Sequence, residues 1–203
     1  ASNENCPCCM AHMGASNGTV LVARLQYPKE IRTRFRADVE AAAAGKYDSW
    51  LESPFNAVAG IILMDQFSRN IYRGTPQMYA LDEKALGWCN TLVGSGAWQE
   101  LTVSMLQFIL LPYQHSEKLE VQQRGIALGE MLVKELQAAA LGAAEDSPEA
   151  ACVKQIQSVI RFAQEHERII AKWGRFPHRN QVLGRESTDE EVEGLANGTI
   201  GKF

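Results

Sequence analysis

Ser147-Pro148-Glu149-Ala150-Ala151-Cys152-Val153-Lys154-Gln155-Ile156-Gln157-Ser158-Val159-Ile160-Arg161-Phe162-Ala163-Gln164-Glu165-His166-Glu167-Arg168-Ile169-Ile170-Ala171-Lys172-Trp173-Gly174 reads as a helix with its own start and stop. Ser147 is a good N-cap, Pro148 stands where a missing N–H costs nothing, and Gly174 can take the left-handed conformation that ends a helix. Between them Cys152, Ile156, Val159, Ala163, His166, Ile170 and Trp173 recur every three or four residues and make one apolar seam. His166 is the polar residue in that seam, and a buried imidazole needs partners.

The same punctuation recurs outward from this stretch, at Ser53-Pro54 and Thr75-Pro76. It predicts further helices over residues 28–45, 54–70, 76–93, 98–111 and 116–141. In the first, Ile31, Phe35 and Val39 share a face. A short last helix follows Thr188, opened by a capping box of either Ser187 with Glu190 or Thr188 with Glu191. Strand patterns are absent, so the expected class is all-α. Helices joined by short turns pack as antiparallel pairs, in a bundle or in a solenoid of hairpins, and no fixed repeat period chooses between them. No polar linker divides the chain: one domain is expected over residues 20–203, after a flexible, Cys-rich segment over residues 1–19.

Composition agrees with a globular protein, since 203 residues with 46% hydrophobic and 22% charged suffice to bury a core without disulfide staples. A net charge of −4 argues against a dedicated nucleic-acid binder. No run approaches the length of a membrane span, and the N-terminus lacks a signal-type apolar region; a soluble, cytoplasmic protein is expected, with an organelle as the alternative. Five cysteines, unevenly spaced, make no disulfide framework. Cys89 and Cys152 read as small buried hydrophobes. Cys6, Cys8, Cys9 and His12 offer soft ligands for zinc or Cu(I), or else form a loose tail with reactive thiols.

Polar residues interrupt two apolar faces. In the second helix the stripe Phe55, Val58, Ile62, Asp65, Arg69 ends in an acid and a base, which form either an i,i+4 ion pair that fixes packing or part of a site. Asp65-Gln66 and Arg69-Asn70 close that helix, and His115-Ser116-Glu117 follows Pro112. The segment from Gly174 to Thr188 holds Arg175, His178, Arg179, Asn180 and Arg185 among turn formers and ends at a helix start. Guanidinium forks beside free backbone N–H groups suit a carboxylate or phosphate; the alternative is a solvated basic loop. His115, Glu117, His166, His178 and Asp65 include enough ligands for zinc or iron, yet none has the H-E-x-x-H or E-x-x-H spacing, so the sequence specifies neither a metal nor a cofactor. Walker, G-x-S-x-G and dinucleotide-binding loops are missing.

Met64-Asp65-Gln66-Phe67-Ser68-Arg69-Asn70-Ile71-Tyr72-Arg73-Gly74-Thr75, then Pro112-Tyr113-Gln114-His115-Ser116-Glu117 with Gln122, then Gly174 to Thr188, in this order, resemble domain-of-unknown-function family 924 from about Pro28 onward. The resemblance implies tetratricopeptide-like antiparallel helix hairpins packed into a compact superhelix, and it implies no reaction. It marks Asp65, Gln66, Arg69, Asn70, His115, Glu117, His166, Arg175, His178, Arg179, Asn180 and Arg185 as one shared polar site. Ser68, Gln114 and Trp173 stand where the family often has Pro, Glu and Phe, and the family's aromatic-rich opening helix is not recognisable before Tyr27.

The resulting expectation is a pocket for an anionic small molecule. Arg175, Arg179 and Arg185 hold the anion, with Gln66, Arg69, Asn70, His178 and Asn180 beside them. His115, His166, Asp65 and Glu117 supply acid–base or metal chemistry. The rivals are a helical scaffold for a protein partner and a purely structural polar network; homo-oligomerisation stays open.

Overall fold

Trp88 and Gly60 set how the N-terminal helices meet. The computed structural model describes residues 28–201, and the regular elements among them are all helical. In chain order these are α1 (Pro28–Ala43), α2 (Pro54–Ile61), α3 (Ser68–Ile71), α4 (Asp82–Ser95), α5 (Val103–His115), α6 (Leu119–Ala139), α7 (Pro148–Trp173), α8 (Asn180–Leu183) and α9 (Asp189–Ala196). A π-helical turn, Ile62–Phe67, joins α2 to α3, and single 3-10 turns fill most other connections. A Cβ on Gly60 would lie 2.1 Å from the Trp88 ring, so the absence of a side chain there lets α2 and α4 close on each other.

Two more glycines set the next layer. Gly125 of α6 rests against Tyr113 of α5, and Gly129 meets both Leu110 of α5 and Ile160 of α7. With Gln123 of α6 donating to Glu167 of α7, the contacts run in opposite chain directions across both interfaces, so α5, α6 and α7 are successive antiparallel neighbours. The main core lies among them and α2 and α4, with Val58, Ile61, Met64, Cys89, Leu92 and Ile156 almost fully buried. A smaller cluster under α1 gathers Ile31, Val39, Leu63 and Ile71, with the Phe35 and Phe67 rings 4.8 Å apart. A third joins Ile169, Ile170, Phe176 and Ile200. It is this cluster that pins the 174–188 segment onto the end of α7.

The helix over residues 148–173 forms over the expected span, with the Ser147 side chain accepting from Ala150 N and Gly174 at φ 67°. Of the two capping boxes, Thr188 with Glu191 forms. Other expectations need correction. The helix expected over 54–70 is helical throughout but carries a π turn at Ile62–Phe67, and Phe55, placed on its inward stripe, is 47% exposed. The reason is the Gly60–Trp88 contact: α2 approaches α4 through Ala57, Gly60 and Ile61, which leaves Phe55 at the rim. The helix expected over 76–93 is split, and Asp82 opens α4. Pro112 does not end α5, which runs on to His115; proline forfeits one backbone bond but its φ suits the helix. Cys89 is buried and Cys152 half-buried. The flexible segment expected over 1–19, with Cys6, Cys8, Cys9 and His12, lies outside the described residues. Among the described residues no helix is long and apolar enough to cross a membrane.

Candidate functional site

The π turn is where the second helix becomes chemical. Ser68 N–H reaches back five residues to the Leu63 carbonyl, the longer register that defines the turn. The next three carbonyls each receive a side chain from four residues on: Met64 from Ser68 Oγ, Asp65 from Arg69 Nη1, and Gln66 from Asn70 Nδ2, the last at 3.0 Å. The motif Met64–Asn70 thus ties its own backbone, and in doing so turns the Asp65 carboxylate inward, where it is 1% exposed.

Asp65 Oδ1 stands 2.7 Å from His115 Nδ1 at the last turn of α5, and Arg69 Nη1 lies 3.2 Å from the same oxygen. Gln66 Nε2 donates to Oδ2. Burial alone would raise the Asp65 pKa, but His115, Arg69 and Gln66 together hold it at about 2. Burial pushes the His115 pKa down, against the pull of Asp65. An ionised carboxylate only accepts, so Nδ1 of His115 carries the hydrogen and Nε2 carries the lone pair. His166, on α7, has its ring 6.2 Å from that of His115, and its Nδ1–H donates to the Phe162 carbonyl at 2.7 Å. Burial lowers its pKa to about 4.

Arg69 also forms a two-pronged bond to Asp82, both contacts at 3.0 Å. On the other side of Asp82 lies Arg179, at 3.7 Å, beyond hydrogen-bond reach. The Arg179 guanidinium packs 4.5 Å from the Tyr79 ring and 4.3 Å from the Phe176 ring. The residue is 6% exposed, and no hydrogen bond reaches its guanidinium among the described residues. Burial accordingly lowers its pKa and raises that of Asp82. Phe176, fully buried, is the hub: its ring also meets His166 at 5.7 Å and His178 at 5.5 Å.

The remaining arginines have carboxylates of their own. Arg185 pairs with Glu117 through contacts of 2.6 and 3.0 Å, while Glu117 Oε1 accepts the Phe176 N–H at 2.8 Å. Arg175 holds both oxygens of Glu191 at 2.7 Å each, and Asn180 Nδ2 adds a bond to Glu191 at 3.1 Å. Thr188 N–H donates to Glu191 as well, so one 2%-exposed carboxylate organises the whole loop.

The fold therefore brings Asp65, Gln66, Arg69 and His115 into direct contact, with Asn70 at the edge. His166, His178 and Arg179 join them through Phe176 and Asp82, and Glu117 with Arg185 adjoins through the Phe176 backbone. Arg175 and Asn180 sit one layer out, around Glu191. Of the three arginines grouped about one anion, Arg175 pairs with Glu191 and Arg185 with Glu117. Asp82, Tyr79, Phe176 and Glu191 went unrecognised. Glu191 carried a signal, its place in the capping box; Asp82 looked like an ordinary mid-helix acid. Two surface hollows open elsewhere: one between α6 and α7 over Val133 and Ile160, one beside Trp173 and Glu193. Among the described residues no group of three or more His, Cys, Asp or Glu side chains is arranged to hold a metal ion.

Comparison with curated proteins finds no match. Among solved structures the chain is similar to ATU0120 of Agrobacterium tumefaciens, a protein of unknown function, at 33% identity over 84% of each chain with a TM-score of 0.69. The model of the family described as "Bacterial protein of unknown function (DUF924)" matches residues 15–199, which takes in the π turn, the end of α5 and the 174–188 segment alike, and the chain belongs to that family.

Proposed function

We propose that the polar cluster binds a small anionic molecule at Arg179, with Asp65 and His115 as the pair that moves a proton. The observation that carries this reading is Arg179 itself, a 6%-exposed residue whose guanidinium has no hydrogen bond among the described residues and stands 3.7 Å from the Asp82 carboxylate. Buried guanidinium donors that lack an acceptor cost free energy even where the net charge is balanced, and a ligand carboxylate or phosphate would supply the missing acceptor. His115 Nε2, oriented through Nδ1 by Asp65, is the natural proton-transfer group, with Arg69, Gln66, Asn70 and His178 assigned to the same site. Arg175, Asn180, Arg185 and Glu117 hold the loop in place in this reading. The test is thermal melting of the intact protein against a panel of small carboxylates and phosphate, repeated with Arg179→Met. A rise in Tm that the variant loses while keeping its fold supports the site; a panel without effect on the native protein overturns it.

A second reading is supported by the Glu117–Arg185 and Arg175–Glu191 pairs, which need no ligand. Here the antiparallel run of α5, α6 and α7 belongs to a tetratricopeptide-like stack of hairpins that scaffolds a protein partner, and the polar network is purely structural. A double-mutant cycle on Asp65 and Arg69 measures this alternative: strong coupling together with a silent ligand panel favours it.

A further inference from the structure

We infer that the anion taken at this site is a small monocarboxylate and that it enters together with one proton, which His115 Nε2 holds; the inference rests on the anion site proposed above and adds its ligand class and its proton. The charges gathered at His115 and its neighbours decide this. The π turn and α3 contribute Asp65 and Arg69, α4 contributes Asp82, the turn after α7 contributes Arg179, and α7 contributes the His166 imidazole. Cys89 of α4 stays a neutral thiol, since burial drives its pKa well up. Glu117 is matched by Arg185. Two carboxylates and two guanidiniums balance, so the enclosure is neutral before any ligand arrives.

An anion added to a neutral, largely dehydrated enclosure brings one negative charge with no counterion, and a proton is the smallest available compensation. His115 is the better acceptor of the two facing imidazoles. Its Nδ1–H already points at a carboxylate, which stabilises the imidazolium, whereas Nδ1–H of His166 points at a neutral carbonyl. A phosphate dianion would need two such protons, and Asp65 and Asp82 oppose the extra charge. One arginine without a hydrogen bond among the described residues and one paired imidazole match one carboxylate. The His115 pKa lies below its ordinary 6.5 without ligand, because burial lowers it, and rises when the anion binds. Between those two values binding takes up a proton, so affinity falls as pH rises.

The test measures Kd for acetate, lactate and benzoate, with inorganic phosphate as the contrasting probe, on the full chain from pH 5.5 to 8. Lactate and benzoate are almost wholly ionised throughout, and acetate, partly protonated at the acid end, is referred to its ionised form, so ligand titration adds nothing to the slope. The expected result is about tenfold weaker carboxylate binding per pH unit within the window, phosphate weaker than the best carboxylate at pH 8, where it is chiefly the dianion, and a flat profile for His115→Gln. Calorimetry of the native protein in buffers of different ionisation enthalpy gives an independent count, expected near one proton taken up per ligand, if His115→Gln does not fold. A flat profile in the native protein, a slope that persists in His115→Gln, or tighter binding of phosphate than of every carboxylate at pH 8 overturns the inference while leaving an anion site standing. Failure of every probe to bind overturns the site and this inference together.

Discussion

Asp65 and His115 lie fifty positions apart in the chain, yet their side chains meet at 2.7 Å, and Asp65 is almost fully enclosed where they do. The contact joins the π turn to the last turn of α5, which is reached only because α5 continues through Pro112. A carboxylate so placed does two things at once: it fixes the imidazole tautomer and it shares Arg69 with Asp82.

Asp65→Asn removes the charge while keeping the shape. Arg69 retains Asp82, so the expected loss is on the order of 2 to 3 kcal/mol of unfolding free energy rather than collapse, read from urea curves at pH 7. The pH dependence follows from the depressed pKa. Unfolded, the group titrates near 3.8, and folded at about 2, so its contribution is complete above the first value and vanishes as pH falls through the second. Native protein should lose this stability between roughly pH 4 and 2, and the variant should show a shallower decline there.

His166 sets a separate window. Its folded pKa of about 4 lies below the ordinary 6.5, so the unfolded chain binds the proton first and stability is lost as pH falls from about 6.5 to 4. Linkage puts its share at roughly 3 kcal/mol, with His178 acting in the same direction. His166→Gln should flatten the stability profile in that range, as followed by denaturant midpoints at half-unit pH steps; a profile equally steep in the variant assigns the effect elsewhere.

Glu117→Ala removes the acceptor for both Arg185 and the Phe176 N–H. The pair is partly solvated, which limits the expected cost to about 1 to 2 kcal/mol. The more telling readout is local. Hydrogen exchange at the Phe176 amide and through residues 174–188 should accelerate more than in α6, because that segment is held at this point and by Glu191.

Gly60→Ala tests the packing that positions the site. The new Cβ meets the Trp88 ring at 2.1 Å, too close for any relaxed structure, and a ring in a packed core cannot step aside freely. A loss of about 2 to 4 kcal/mol is expected despite the better helix propensity of alanine, visible as a lowered Tm. Gly87→Ala, on α4 with open space around its Cβ, serves as the control and should be neutral or slightly stabilising.

Helix identity was legible along the chain because it depends on near neighbours. Ser147-Pro148 and Gly174 bound α7 where local capping chemistry says they should, and the seam through Ile156, Ala163, His166 and Ile170 is buried as its spacing requires. The polar residues of the three motifs were legible as residues out of place on apolar faces. Their partners were not. Arg179 and Arg185 look alike in the chain, and what separates them is that Glu117 reaches one and Asp82 stops short of the other.

By itself, then, the order of amino acids determined an all-helical chain, most of its helix starts and stops, and a set of ionisable groups too many for a plain core, since all three follow from periodicity and capping within a few residues. Tertiary structure alone decided which face of α2 turned inward, that the second helix would carry a π turn, and which arginine was buried beyond hydrogen-bond reach of Asp82. Those outcomes depend on contacts such as Gly60 against Trp88 and Asp65 against His115, where groups remote in sequence meet and the interaction between charges is settled by distance and exclusion of water.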